Sequence, residues 1–73
     1  MSELRPLRSE DVLRALKCAG FETMRQRGSH VRLKHPDGRV VTVPMHKKEI
    51  GRGLLRKIIR DAELSVDEFL SLL

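Results

Sequence analysis

His30 is the residue of this 73-residue chain whose neighbours point most directly to chemistry. It follows a glycine–serine pair at 28–29 and opens an alternating run over 30–34. Successive side chains of a strand face opposite sides of a sheet, so His30, Arg32 and Lys34 share the solvent side if the apolar residues between them face the core. An imidazole can accept or return a proton near physiological pH, while arginine and lysine attract phosphate. The combination predicts chemistry on RNA.

Length and charge limit the kind of protein that can carry such a site. A chain of 73 residues predicts one domain over 1–73, with its site on an open face rather than in a deep cavity. Lys and Arg number 15 against 10 Asp and Glu, which gives a net charge of +5 and a pI near 10.2. This balance favours nucleic acid, an anionic surface or an acidic protein as partner, and charge alone does not choose among them.

Cysteine content and hydropathy predict a cytoplasmic protein. Cys18 is the one cysteine, so no internal disulfide can form and no oxidising compartment is required. No apolar stretch approaches the ~20 residues of a membrane span, and residues 1–9 lack the apolar core of a signal peptide. Cys18 has no inferred cationic pocket around it, which indicates a structural or incidental thiol rather than a nucleophile.

Three helices are predicted from apolar periodicity and capping signals. The first has Ser9 as its N-cap and ends at Gly20 in a left-handed conformation. The second follows a loop over 45–51 and has one apolar and one basic side. Ser65 and Glu68 fit a capping box that begins a short third helix with an apolar ending.

Between the first two helices the period changes to about two, which indicates a sheet. Three antiparallel strands are predicted, over residues 21–27, 30–35 and 39–43. Pro44 is expected to end the third strand, and the register of the first is the least determined because its residues alternate poorly. The result is an α+β fold in which the helices cover one sheet face and leave the other free for His30.

Five short motifs follow one another in the part of the chain from Ser9 to Phe69. They are Gly20-Phe21, Arg27-Gly28-Ser29-His30, His35-Pro36-Asp37-Gly38, Val43-Pro44-Met45-His46, and Gly53-Leu54-Leu55-Arg56-Lys57-Ile58-Ile59 followed by Ala62 and Leu64. Each motif alone is a weak signal. Their order and spacing resemble the HicA-type (YcfA-like) toxins of bacterial and archaeal toxin–antitoxin systems.

The resemblance implies a fold, an activity and a partner. The fold is that of a double-stranded RNA-binding domain, and the activity is that of a ribosome-independent mRNA interferase, an endoribonuclease held inactive by a HicB antitoxin. The family's functional histidine, in the Gly-Ser-His motif, is His30 here. Two positions depart from the family pattern: Glu63 stands where glycine is usual after the second helix, and Cys18 where a basic or polar residue is more common.

Metal-independent cleavage is the simplest chemistry for these residues. The 3 histidines do not have a zinc spacing and no paired carboxylates accompany His30, so neither a metal nor a cofactor is predicted. His30 would take the proton of a ribose 2′-hydroxyl while neighbouring cations stabilise the charge that develops on the phosphate. The donor of a proton to the leaving 5′-oxygen stays open between His46 and a lysine of the Lys47-Lys48 pair.

A larger set of residues is predicted to contact RNA. It consists of Arg27, Ser29, Arg32, Lys34, His46, Lys47, Lys48, Arg56 and Arg60. Ser29 is expected to fix its turn, and a structural or RNA-contact role is favoured over proton transfer for His46. The second helix has a basic side formed by Arg52, Arg56, Lys57 and Arg60. Phosphate binding and an ordinary solvated surface are equally favoured interpretations of this side. His35 is expected to be solvated.

Two other classes of function fit the same charge and fold. One is a non-catalytic RNA-binding module in which His30 only hydrogen-bonds RNA. The other is a small basic adaptor whose partner is an acidic protein. For the favoured function, that of an mRNA interferase, the predicted partners are mRNA and a HicB-like antitoxin. No interaction with a membrane is expected.

Overall fold

The computed structural model describes residues 3–46 and 48–73. It confirms the predicted α+β architecture of helix, three-stranded antiparallel sheet, helix and short C-terminal helix, the arrangement of a double-stranded RNA-binding domain. The elements are β1 (Leu7–Arg8), α1 (Ser9–Cys18), β2 (Glu22–Arg27), β3 (His30–Lys34), β4 (Val40–Pro44), β5 (Glu49–Ile50), α2 (Arg52–Asp61) and α3 (Val66–Ser71). The strand order in the main sheet is β2-β3-β4.

The core lies between the helices and the inner face of the main sheet. Val31 and Leu33 on β3 are buried while the residues on either side of each are exposed, as their alternation predicts. The buried apolar side chains are Leu4, Val12, Ala15, Leu16, Phe21, Val31, Leu33, Val41, Val43, Ile50, Leu55, Ile58, Ile59, Ala62 and Phe69. Each fully buried Val, Leu, Ile or Phe among them contributes roughly 1.5–3 kcal/mol to folding. Apolar burial therefore fixes which side of β3 faces water.

The edge strand β2 is not covered by the helices. All six of its residues are exposed, so neither of its faces required apolar side chains, which explains its poor alternation. Thr23 lies opposite Leu33 and Arg25 lies opposite Arg32, so Met24 is an extra residue that forms a β-bulge. Sequence periodicity predicted the strand but contained no signal for the bulge.

The start of α1 differs from its prediction. Arg8 occupies the N-cap position without a side-chain cap, and Ser9 is the first helical residue, buried, with its N–H donating to the Lys48 carbonyl at 3.2 Å. The expectation that Ser9 caps the helix is therefore wrong. The cause is the pairing of β1 with β5, a strand within the segment 45–51 predicted as a loop. This pairing holds the segment beside the start of α1, where a backbone carbonyl accepts the N–H of Ser9.

Both long helices end in the same hydrogen-bonded turn. The N–H of Gly20 donates to the Lys17 carbonyl and the next N–H reaches back to Leu16, the pattern of a Schellman motif. At the end of α2, Glu63 takes the place of the glycine, with φ of 56°. It is the one non-glycine residue with positive φ in the described part of the chain. Glu63, which stands where the family usually has glycine, therefore keeps the same helix ending. Its side chain makes the left-handed backbone conformation less favourable than it would be for glycine.

His35 is packed rather than solvated, which corrects its prediction. Its ring lies edge-on to Phe21 with 5.2 Å between centroids, and its Nδ1 accepts the backbone N–H of Asp37 at 3.2 Å. The Arg39 guanidinium lies over the Phe21 ring, 5.2 Å from its centroid. Hydrogen bonds from Arg39 to the Asp37 carboxylate hold the pKa of that carboxyl below its usual value. This histidine therefore belongs to the structure of the turn.

Replacing Gly20 by alanine is expected to destabilise the protein more than the same change at Gly38. Both glycines have φ near +100°, which costs a residue with a Cβ about 1–2 kcal/mol. A Cβ at Gly20 would also lie 2.9 Å from Nε2 of His35, whereas nothing lies within 4 Å of one at Gly38. Chemical denaturation measures the free energy of unfolding of the two variants. An equal decrease in both would show that the His35 ring moves aside without a cost in stability.

Candidate nucleic-acid interface

The outer face of the sheet carries a shallow cationic groove of about 530 Å³. Its lining consists of Met24, Arg25, Arg27, His30, Arg32, Lys34, Val40 and Thr42. The register explains the clustering, because His30 lies opposite Arg27 and Arg32 lies opposite Arg25 on neighbouring strands. Opposed residues of an antiparallel pair share a face, so one ring and four cations meet on the open side of the sheet. Arg27, Arg32 and Lys34 are thus brought together with His30, as predicted.

Arg25 and Met24 belong to the groove although the sequence did not single them out. The bulge brings both onto the side of the groove, and the Met24 side chain there is 58% exposed. Val40 and Thr42 on β4 add an uncharged margin on one side of the cations of β2 and β3. The groove therefore combines a cationic surface for phosphates with a neighbouring uncharged surface.

A second histidine stands beside the first at one end of the groove. Pro44, the last residue of β4, lies opposite His30, so the chain leaving β4 places His46 next to the turn before β3. The two imidazole centroids are 5.6 Å apart with 50° between the ring planes. The half-buried Ser29 holds its Oγ 3.2 Å from Nδ1 of His46. Ser29 thus joins the turn to the second ring, and both histidines are exposed to solvent.

The other predicted contact residues lie elsewhere or outside the described residues. Lys47 is not among the residues that the structure describes. Lys48 borders a separate hollow of about 220 Å³ with Arg8, Ser9 and Met45, and shares no lining residue with the groove. The structure therefore does not bring Lys48 to the residues around His30.

Arg56 and Arg60 are exposed on α2, in the layer behind the sheet. The buried side of α2, with Leu55 and Ile58, packs against the inner face of the sheet, and the groove occupies the outer face. The basic side of α2 therefore points away from His30. A ligand lying flat in the groove does not reach these two arginines without passing around the sheet.

The described residues show no cluster suited to a metal. Across residues 3–46 and 48–73, no three His, Cys, Asp or Glu side chains lie close enough together to hold an ion. None of the helices in these ranges is long and apolar enough to cross a membrane. The groove carries the His30 imidazole and four cations, and the His46 imidazole and the Ser29 hydroxyl lie beside His30.

Fold and groove together define a small α+β domain with a basic, histidine-bearing sheet face. A family model described as the HicA toxin of bacterial toxin–antitoxin systems matches residues 9–64. This span is well over half of the chain and runs from the start of α1 to the turn after α2. The chain therefore belongs to the HicA toxin family, and the resemblance seen in its motifs is confirmed. No curated protein matches it. Membership implies an antitoxin partner.

Proposed function

We propose that the protein is a toxin that acts as an mRNA interferase, an endoribonuclease that cuts single-stranded RNA in the groove. The observation that supports this most strongly is the position of His30, exposed in a groove that it shares with Arg25, Arg27, Arg32 and Lys34. Phosphates are attracted to such a surface, and a positioned imidazole supplies the proton transfer that RNA cleavage needs.

In the proposed reaction His30 removes the proton of a ribose 2′-hydroxyl. The 2′-oxygen then forms a bond to the neighbouring phosphorus, and the bond from phosphorus to the 5′-oxygen breaks. Arg27, opposite His30 on β2, and Arg32, two residues along β3, stabilise the charge on the non-bridging oxygens. The products are a 2′,3′-cyclic phosphate and a free 5′-hydroxyl.

The ends of the product test this function directly. Incubation of the purified protein with labelled single-stranded RNA, followed by mass analysis, is expected to reveal cyclic phosphate ends. RNA that is shifted on a gel but intact would instead favour a non-catalytic RNA-binding module. Neither a shift nor a cut would favour a basic adaptor of an acidic protein.

The antitoxin partner is proposed to be a HicB-like protein that covers the groove. Acidic side chains placed against Arg32 and Lys34 would compete with phosphate directly, and charge complementarity speeds the encounter of such partners. The free chain is expected to arrest growth when expressed alone, and its association with the antitoxin to slow at high salt.

Hydrogen exchange of the mixed proteins is expected to show protection across residues 30–34 and β2. This follows because a partner that blocks the groove must lie against both strands. Protection confined to α1, with residues 30–34 exchanging as in the free chain, would show that inhibition does not work by covering the groove.

A further inference from the structure

The proposed cleavage needs a second proton transfer, and His46 is a second imidazole beside His30. Its ring lies 5.6 Å from that of His30, centroid to centroid, although it comes from the segment after β4 and not from the sheet face. Groups that serve the entering and leaving oxygens of one phosphate must each reach their own oxygen at ~3 Å. Two exposed rings at this separation can contact one phosphate from different directions.

The hydrogen bond with Ser29 selects the nitrogen that His46 presents to a substrate. Oγ of Ser29 lies 3.2 Å from Nδ1, so Nε2 is the ring nitrogen left free. If the hydroxyl donates to Nδ1, the neutral ring carries its proton on Nε2; if the ring is an imidazolium, both nitrogens carry protons and the hydroxyl accepts. A neutral ring with its proton on Nδ1 instead donates to the hydroxyl and leaves Nε2 as an acceptor. The imidazolium is therefore the form that can act as an acid, with a releasable proton on Nε2.

Other groups of the groove are poorly suited to donate this proton. Arginine does not release protons in proteins, which excludes the three guanidinium groups of the groove. Lys34 is four residues from His30 along β3, a distance of about 13 Å at the usual rise of a strand. Lys48 borders a separate hollow.

We propose that His46 is the general acid of the cleavage and that Ser29 is its positioning residue. Nε2 of His46 gives its proton to the 5′-oxygen as the bond to phosphorus breaks, while His30 holds the proton taken from the 2′-hydroxyl. After product release, His30 returns its proton to water and His46 regains one, so the protein ends unchanged. The inference rests on the proposed function and deepens it.

An RNA with a sulfur leaving group distinguishes a general acid from a residue that only contacts RNA or supports the loop. The cut position is first mapped on ordinary RNA, and the same RNA is then made with sulfur in place of the 5′-oxygen at that position. A thiolate leaves without a proton, so general acid catalysis is not needed for it. His46→Ala is expected to cut ordinary RNA slower by a factor on the order of 10² to 10⁴, and to cut the sulfur RNA within about tenfold of the unchanged protein.

His30→Ala is the matched control, because the base is needed with either leaving group. It is expected to be slow on both RNAs. Equal slowing of His46→Ala on both RNAs would assign His46 to RNA contact or loop structure and overturn its role as acid, and so would full activity of that variant on ordinary RNA. If the unchanged protein cuts neither RNA, the proposed function itself fails and the acid role fails with it.

Ser29→Ala tests the positioning of the ring. This variant is expected to slow cleavage of ordinary RNA about tenfold while leaving the sulfur RNA nearly unaffected, because only the oxygen leaving group depends on the aim of Nε2. Ser29→Thr keeps the hydroxyl and is expected to restore the ordinary rate. Equal slowing on the two RNAs by Ser29→Ala would indicate a general defect of the turn and contradict the positioning role.

Discussion

Replacing His30 by alanine is expected to slow RNA cleavage by a factor on the order of 10² to 10⁴, the usual contribution of a positioned base. Folding should be nearly unaffected, because the side chain is exposed on the outer face of the sheet and the core lies on the other. RNA binding should be retained, since the cations of the groove remain. Single-turnover cleavage, thermal unfolding and a binding titration of the same sample measure the three quantities.

His35→Ala is the natural control for that experiment. This histidine follows the end of β3 opposite His30, is half-buried against Phe21 and does not line the groove. Its loss should lower the free energy of unfolding and leave the cleavage rate of the folded protein unchanged. A His30→Ala variant that cuts RNA at the full rate would remove His30 from the mechanism, and a His35→Ala variant as slow as His30→Ala would show that the defect is not specific to the site.

The part of the site that lies on β3 could be predicted from the sequence because burial enforces its alternation. Val31 and Leu33 must enter the core, so the residues between them must face outward together. β2 is different, since both of its faces are exposed and no apolar demand fixes its sides. The bulge at Met24, which brings Arg25 and Met24 to the groove, is a backbone feature that residue types alone did not indicate.

The contact between His46 and Ser29 could not be predicted for a related reason. It depends on the register of β3 with β4, which sets Pro44 opposite His30 and so decides where the following segment runs. The pairing of β1 with β5 is likewise a tertiary event between two segments that have little pattern of their own. Sequence periodicity orients the residues within an element but does not position the segments between elements.

The sequence also could not predict where the basic side of α2 lies relative to the sheet. Helical periodicity correctly places Arg56 and Arg60 on the exposed side of their helix. It does not say that this side faces away from the sheet face that holds His30. The protein therefore has two separate cationic surfaces, and variants of each distinguish their contributions to RNA binding.

Neutralising the four cations of the groove is expected to weaken RNA binding far more than neutralising four cations of α2. The groove variant changes Arg25, Arg27, Arg32 and Lys34 to glutamine, and the α2 variant changes Arg52, Arg56, Lys57 and Arg60 to glutamine. Each phosphate contact on single-stranded RNA contributes about 0.7 to the slope of log affinity against log salt concentration, so four lost contacts lower the slope by about 2.8. At about 0.15 M salt this corresponds to a loss of affinity of about two orders of magnitude.

The α2 variant is a matched control, because it removes the same charge from the same small protein. General attraction to RNA falls equally in both variants, so a difference between their slopes reports local contacts. The change also breaks the ion pair of Lys57 with Asp61, worth about 0.3–0.5 kcal/mol for an exposed pair one helical turn apart, which is too little to unfold the domain. Equal slopes for the two variants would show that RNA also lies along the helical layer, whereas a larger fall for the α2 variant would place the bound strand there and leave the groove to the antitoxin.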